Sequence, residues 1–209
     1  SGEPNNLEAE TLESLKEAAV KGGYTHVVHM PGKGKLTQTK SDIIYLSNSN
    51  RKSQCQILPV GNLTMPTDSS QLSAMMDMWS AGAVAFSDGN DVTPKKNVLK
   101  NALLYAKGFQ GKIMVHAEDT DMSKNGQVNQ GKLSLGLGFK GIPKEAEFME
   151  VSKLLQVAKY ANSSILFLNV NTPESVKLIS DANKKGKNYF SSTSTWNLDA
   201  EEDVLRDYD

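Results

Sequence analysis

Apolar residues recur along this chain in two rhythms, a helical one and short continuous runs, and the two alternate. From Glu8 to Lys21 they fall at Leu12, Leu15, Ala19 and Val20 with Glu and Lys between them. That spacing predicts an amphipathic helix of about four turns, capped by Gly22-Gly23. Tyr24 to Met30 is a β-branched and aromatic run closed by Pro31-Gly32, which predicts a buried strand. A second helix is expected over Lys40 to Asn50 through Ile43, Ile44 and Leu46, and a strand over Cys55 to Val60. Ser69 to Ser80 opens on serines suited to capping and places Leu72, Met75, Met76 and Trp79 on one helical face. Three methionines that close could suggest a soft-metal site, but their helical spacing favours core packing.

Ala83 to Phe86 predicts a strand ending in Ser87-Asp88-Gly89, and Pro94 to Lys107 a helix with Pro94 in its first turn. Ile113-Met114-Val115 follows as a strand, then a glycine-rich excursion over 120–143. Helices are expected at Glu145 to Tyr160 and from Thr172-Pro-Glu174 to Ala182, with strands at Ile165 to Val170 and from Lys187 to Phe190. The Gly-x-Gly of the excursion is not placed between a strand and a helix start, so it is a weak phosphate signal. Six strands alternating with helices imply parallel βα units with right-handed crossovers. Such units suit a doubly wound sheet or part of an eight-stranded barrel. Polar groups at several strand ends (Asp88, His116, Asn169) favour the barrel, whose site gathers residues from many strands.

Composition narrows the functions. A net charge of -1, with no Lys/Arg cluster, argues against nucleic acid or an anionic membrane as the main partner. No apolar run approaches the ~20 residues of a membrane span, and no signal peptide is evident. The cytoplasm is therefore the expected location. The single cysteine, Cys55, lies beside Ile57-Leu58 and reads as a buried structural thiol rather than a nucleophile. Ser1-Gly2 resembles a cloning scar and the chain stops just after a charged helical stretch, so both ends read as cut and 1–209 as one partial domain.

The chemistry centres on Lys112-Ile-Met-Val-His-Ala-Glu-Asp119. An imidazole where a strand gives way to a loop can hold a metal or move a proton. It can equally cap the strand through a hydrogen bond to a neighbour such as Glu118. Asp88 likewise ends a strand, where it can be read as a turn aspartate closing Ser87-Asp-Gly89. His26 is expected to be exposed near the start of its strand and His29 packed near the end.

Several segments together resemble dihydroorotase, of the metal-dependent amidohydrolase superfamily. They are Gly2-Glu-Pro4, Gly22-Gly-Tyr-Thr25, Met30-Pro31, Ala81-Gly-Ala-Val-Ala-Phe-Ser-Asp88, His116-Ala-Glu-Asp119, Gly141-Ile-Pro-Lys-Glu-Ala-Glu147 and Leu205-Arg-Asp-Tyr-Asp209. The resemblance implies a (β/α)8 TIM barrel, incomplete here at about six units. It also implies zinc at the strand C-termini and the interconversion of dihydroorotate and N-carbamoyl-aspartate in pyrimidine synthesis. Zinc would supply hydroxide near neutral pH and polarise the amide. A homodimer is implied, with aspartate carbamoyltransferase as a companion.

Compared with that family, the chain keeps few metal and substrate groups. The first-strand His-x-His pair would precede Gly2, and Gly2 itself stands where a carboxylate-gripping arginine is expected. Gly32 replaces a substrate-contacting asparagine. Asn169 stands at a histidine-ligand position, Thr195-Trp196 at a His-His pair, and the final aspartate would lie beyond Asp209. Asp88 and His116 are left as relic metal candidates, and two protein ligands rarely hold zinc. The resemblance with these departures implies a catalytically impaired member, with zinc weakly bound or absent.

Overall fold

A computed structural model describes residues 11–31, 37–50, 53–65, 68–89, 94–186 and 188–207. Gly2 and Gly32, and the expected helix start at Glu8, lie outside these residues. The chain divides into two compact units, Ser1–Gly89 with Asn97–Met114, and Asn90–Lys96 with Val115–Asp209.

In the first unit, helix α1 (Leu12–Lys21) starts at a reciprocal cap. Ser14 N–H donates to Thr11 Oγ1 and Thr11 N–H to Ser14 Oγ, satisfying two otherwise orphaned donors. Strand β1 (His26–His29), helix α2 (Lys40–Asn48) and strand β2 (Gln56–Asn62) follow. The short strands β3 (Thr64–Met65) and β4 (Asp68–Leu72), helix α3 (Met75–Ser80), strand β5 (Ala85–Ser87) and helix α4 (Lys96–Lys107) come next. β2 lies between β1 and β5 and pairs with both in parallel, His29 opposite Pro59 and Asn62 opposite Ser87. Phe86 also bridges in parallel to Ile113. Leu12, Leu46 and Ile57 pack together beneath Leu15 and Val27, so the apolar faces of both helices close on the sheet. Cys55 is a buried free thiol, as its neighbours implied.

β6 (Met114–His116) carries the chain from the first unit into the second at Val115, and α5 (Thr120–Ser123) follows. Then come β7 (Val128–Asn129), α6 (Lys132–Leu137), β8 (Gly141–Ile142) and the long α7 (Glu145–Ala161). β9 (Leu166–Leu168), α8 (Pro173–Asn183), β10 (Phe190–Ser191), α9 (Trp196–Asp199) and a 3-10 helix (Glu202–Asp207) complete it. Its sheet runs β10-β9-β6, with Phe190 opposite Leu166 in parallel. Each of the six expected strands is present and successive ones are separated by a helix, the alternation of a βα barrel.

Three local expectations are corrected. The helix anticipated over Ser69 to Ser80 is confined to α3; Asp68 to Leu72 is instead an antiparallel strand against Thr64–Met65. Asp68 Oδ1 accepts from the Ser70 N–H and hydroxyl, a local bond that competes with a helical turn. Met75 and Met78 are buried and Met76 is exposed, so the inward face is shifted from the one anticipated. Pro94 precedes α4 by two residues rather than opening it.

The glycine-rich excursion is structured, and two of its glycines, Gly126 and Gly141, serve close packing, whereas Gly131, Gly136 and Gly138 have open space where a Cβ would sit. A Cβ on Gly126 would sit 2.2 Å from Ile142 Cγ1, and one on Gly141 2.6 Å from Gln130 Cα. Gly141→Ala must therefore move backbone, and is expected to cost roughly 1–2 kcal/mol in urea unfolding. No described helix is long and apolar enough to cross a membrane.

Candidate metal centre

Asp88 follows the C-terminal end of β5, where strand-end chemistry is expected. Its carboxylate is engaged within its own unit. Oδ1 accepts from the backbone N–H of Leu63 at 3.1 Å and of Thr64 at 2.9 Å, and Oδ2 accepts the Thr64 hydroxyl at 3.0 Å. Leu63 is fully buried and Thr64 nearly so, which makes those donors costly to leave unmet. Burial raises the pKa of Asp88 above its ordinary value, a rise only partly offset by the bonds from Thr64 and Leu63. The aspartate ties the β2–β3 connection to the end of β5. Gly89, at φ +86°, turns the chain immediately afterwards, and a Cβ there would meet the Pro31 carbonyl oxygen at 2.9 Å.

His116 ends β6 in the second unit. Its Nε2 lies 2.8 Å from Glu118 Oε2, the neighbour anticipated for it. Partial burial pushes the Glu118 pKa up, but hydrogen bonds from Ser123 and His116 and the charge of the imidazole outweigh it and hold the group below its ordinary value of 4.5. A lowered carboxylate pKa contributes stability above the unfolded value, and that stability disappears as pH falls through the folded one. Glu118→Gln should therefore lose stability at neutral pH and converge with the unmodified protein as pH falls below 4.5 through the lower folded value, as read by urea unfolding.

The loop behind this pair is tightly held. Asp119 Oδ1 accepts from the N–H groups of Asp121 and Met122, capping α5, and its own N–H donates to the Ala146 carbonyl. Lys153 bridges Asp119 Oδ2 at 3.5 Å and Glu150 Oε2 at 3.2 Å. Glu150, 2 % exposed at its side chain, also faces Lys96 Nζ at 2.5 Å from Oε1, a charge contact rather than an aligned hydrogen bond. Both lysines reach solvent, with side chains 50 % and 42 % exposed. Deleting the carboxylate would thus strand no buried charge. Glu150→Met should change unfolding free energy by less than about 1 kcal/mol, unlike the loss of one partner from a fully buried pair.

Asn169, Thr195 and Trp196 all lie in the second unit. Asn169 adopts a left-handed backbone (φ 51°), a conformation asparagine tolerates well. Its N–H donates to Ser192 Oγ, and its carbonyl accepts from Asn171 Nδ2. Thr195 precedes α9, and Trp196 is 72 % exposed. His26 is exposed and His29 buried, as anticipated. Among the described residues no three His, Cys, Asp or Glu side chains are grouped to hold a metal ion.

Sequence reading did not find the partners of Asp88, which lie 24 and 25 residues upstream. It also missed the role of Glu147. That carboxylate accepts from the N–H of Asn171 at 2.8 Å, the N–H of Thr172 at 3.0 Å and the Thr172 hydroxyl at 2.6 Å, gripping the start of α8. The acidic residues of Gly141-Ile-Pro-Lys-Glu-Ala-Glu147, facing the capping Thr172, were the available signal.

Solved structures with this arrangement of parallel strands and helices are amidohydrolase barrels. An L-hydantoinase (dihydropyrimidinase) from Arthrobacter aurescens superposes with a TM-score of 0.71 at 18% identity, over 92% of this chain and 44% of that one. A D-hydantoinase gives 0.68 at 20% identity over 93% and 44%. At that identity the likeness shows the fold, an amidohydrolase-type (β/α)8 barrel of which this chain is a part. The family follows from sequence: a Dihydro-orotase-like family model matches residues 3–175, and the chain belongs to that family. A dihydroorotase of Caldicellulosiruptor saccharolyticus is 33% identical over 97% of this chain and 48% of the relative. One of Pelobacter propionicus is 32% identical over 99% and 49%. The chain thus spans about half the length of the curated relatives it matches.

Proposed function

We propose that this chain is a dihydroorotase-like barrel segment that has lost the family's metal-assisted chemistry and acts through association, as a non-catalytic scaffold for aspartate carbamoyltransferase in pyrimidine synthesis. The carrying observation is the engagement of Asp88 by Leu63 and Thr64. A carboxylate bound through both oxygens to its own fold has exchanged a metal-facing role for a structural one. Asn169 and Trp196 support the same reading, since neither supplies a strong zinc donor. In the family, bound zinc supplies the hydroxide and the polarised carbonyl, and no reaction step is assigned to this chain.

An active zinc-dependent dihydroorotase is the competing reading, favoured by the His116–Glu118 pair, because ligand histidines commonly carry a carboxylate on the second ring nitrogen. The two readings separate by assay. The scaffold reading expects no dihydroorotate hydrolysis above background in zinc-containing buffer, and co-elution with aspartate carbamoyltransferase in size-exclusion chromatography. Turnover abolished by His116→Ala would overturn it. Association as a homodimer and a cytoplasmic location belong to the same proposal. Sedimentation of the chain alone at twice its 22.8 kDa mass would support the dimer.

A further inference from the structure

The turn between α5 and β7 is built on the one Asn–Gly pair in the sequence, Asn125-Gly126. Both residue types are dictated by the backbone around them. Asn125 has a φ of +59°, in the left-handed region that asparagine tolerates better than most side chains. Gly126 is so closely packed that an added Cβ would sit 2.2 Å from Ile142 Cγ1 and 2.9 Å from the Ser123 carbonyl oxygen. Three bonds close the turn. The Gly126 N–H donates to the Ser123 carbonyl at 2.7 Å, the Gln127 N–H donates to the Lys140 carbonyl at 2.9 Å, and Lys140 Nζ donates to the Lys124 carbonyl. Just beyond, Val128 and Asn129 pair with Gly141 and Ile142. Asn125 itself is exposed.

An asparagine followed by glycine carries its own reactive pair, because no side chain on the next residue shields the amide nitrogen. Once the Gly126 N–H loses its proton, that nitrogen can attack Cγ of Asn125. The new N–Cγ bond closes a succinimide ring, the Cγ–Nδ2 bond breaks, and the side-chain nitrogen leaves with the proton as ammonia. Water then opens the ring at either carbonyl, leaving aspartate or isoaspartate. Nothing is oxidised or reduced, and water is the only co-reactant. In the closed turn the proton that must leave is held by the Ser123 carbonyl. We infer that Asn125-Gly126 is a deamidation site whose rate is set by local opening of the 123–126 turn. The product places a negative charge at the turn, and isoaspartate also adds a methylene to the main chain beside the tightly packed Gly126. The β7–β8 pair, which depends on that packing, loosens as a result. The fold thus requires, for backbone reasons, the residue pair that is chemically least durable, and it shields the pair by the same turn.

The test follows residue 125 by peptide mass spectrometry while the intact chain is incubated in mildly alkaline buffer, native or unfolded in guanidinium. Conversion to a mixture of aspartate and isoaspartate is expected at this position, slower by about tenfold or more in the native chain. Lys140→Ala removes the bond from Nζ to the Lys124 carbonyl and should quicken conversion in the native chain while leaving the unfolded rate unchanged. An unchanged circular dichroism spectrum checks that this variant folds. In the converted protein, hydrogen exchange should quicken at the Gln127 and Gln130 amides, which donate to the Lys140 and Ile142 carbonyls. The inference is overturned by equal rates in the native and unfolded chains, or by no conversion at Asn125 in either. A native rate that Lys140→Ala leaves unmoved, or exchange at those amides unaltered by conversion, would overturn it as well.

Discussion

Replacing Asp88 with alanine is expected to lower the unfolding free energy by about 2–4 kcal/mol, while asparagine at the same position should cost less than about 1 kcal/mol. The contrast follows from who donates to whom. Alanine leaves the Thr64 N–H without its partner and the Thr64 hydroxyl without its acceptor, whereas the Leu63 N–H keeps the Ser87 carbonyl at 3.1 Å. Asparagine can accept both N–H groups through Oδ1 and donate from Nδ2 to the Thr64 hydroxyl oxygen. It also removes a charge that burial disfavours. Because the folded pKa of Asp88 is raised, its folded form takes up a proton that the unfolded chain at the same pH does not. The group's contribution to stability is therefore largest in acid and falls as pH rises from the ordinary 3.8 through the folded value. Asp88→Asn should lose ground to the unmodified protein on acidification and be closest to it, or above it, at neutral pH. Urea unfolding across that range reads both effects. A metal ligand would behave differently, with asparagine as damaging as alanine in the presence of zinc.

Glu147→Ala is the second large effect, an expected loss of about 2–3 kcal/mol. Three donors at the start of α8 lose their acceptor together, and two of them are backbone N–H groups near a helix N-terminus. Thr172 still caps Ser175 N–H at 3.3 Å, so the helix survives with a looser start. Glu147→Gln keeps the acceptor oxygen but loses its charge, both toward the donors and toward the positive end of the helix dipole. It should fall between the two. Hydrogen exchange at Asn171 and Thr172 should quicken in Glu147→Ala while the core of α7 stays protected.

What was legible in the sequence was what short range determines. The six strands announce themselves as β-branched and apolar runs such as Tyr24 to Met30 and Ile165 to Val170, bounded by Gly, Pro and Asn. The His116–Glu118 contact was equally near at hand, two residues apart at a strand end. Asp68 to Leu72 misled because a polar, exposed strand paired only with Thr64–Met65 carries no alternating apolar face. The excursion hid its structure because its β7–β8 pairing depends on the absence of side chains at Gly126 and Gly141, which looks like loop composition. At the candidate centre, the types of residue were readable and their partners were not. Whether Asp88 serves a metal or the β2–β3 turn depends on N–H groups more than twenty residues away, which no local pattern reveals.

The most direct test of the central proposal is zinc bound per chain in the intact protein after dialysis against excess zinc and removal of the free ion. The proposal, carried by the hydrogen-bonded state of Asp88, predicts no zinc above background, and the same result in His116→Ala. About one zinc or more per chain, lost on His116→Ala, would contradict the account and return the chain to the metal-dependent members of its family.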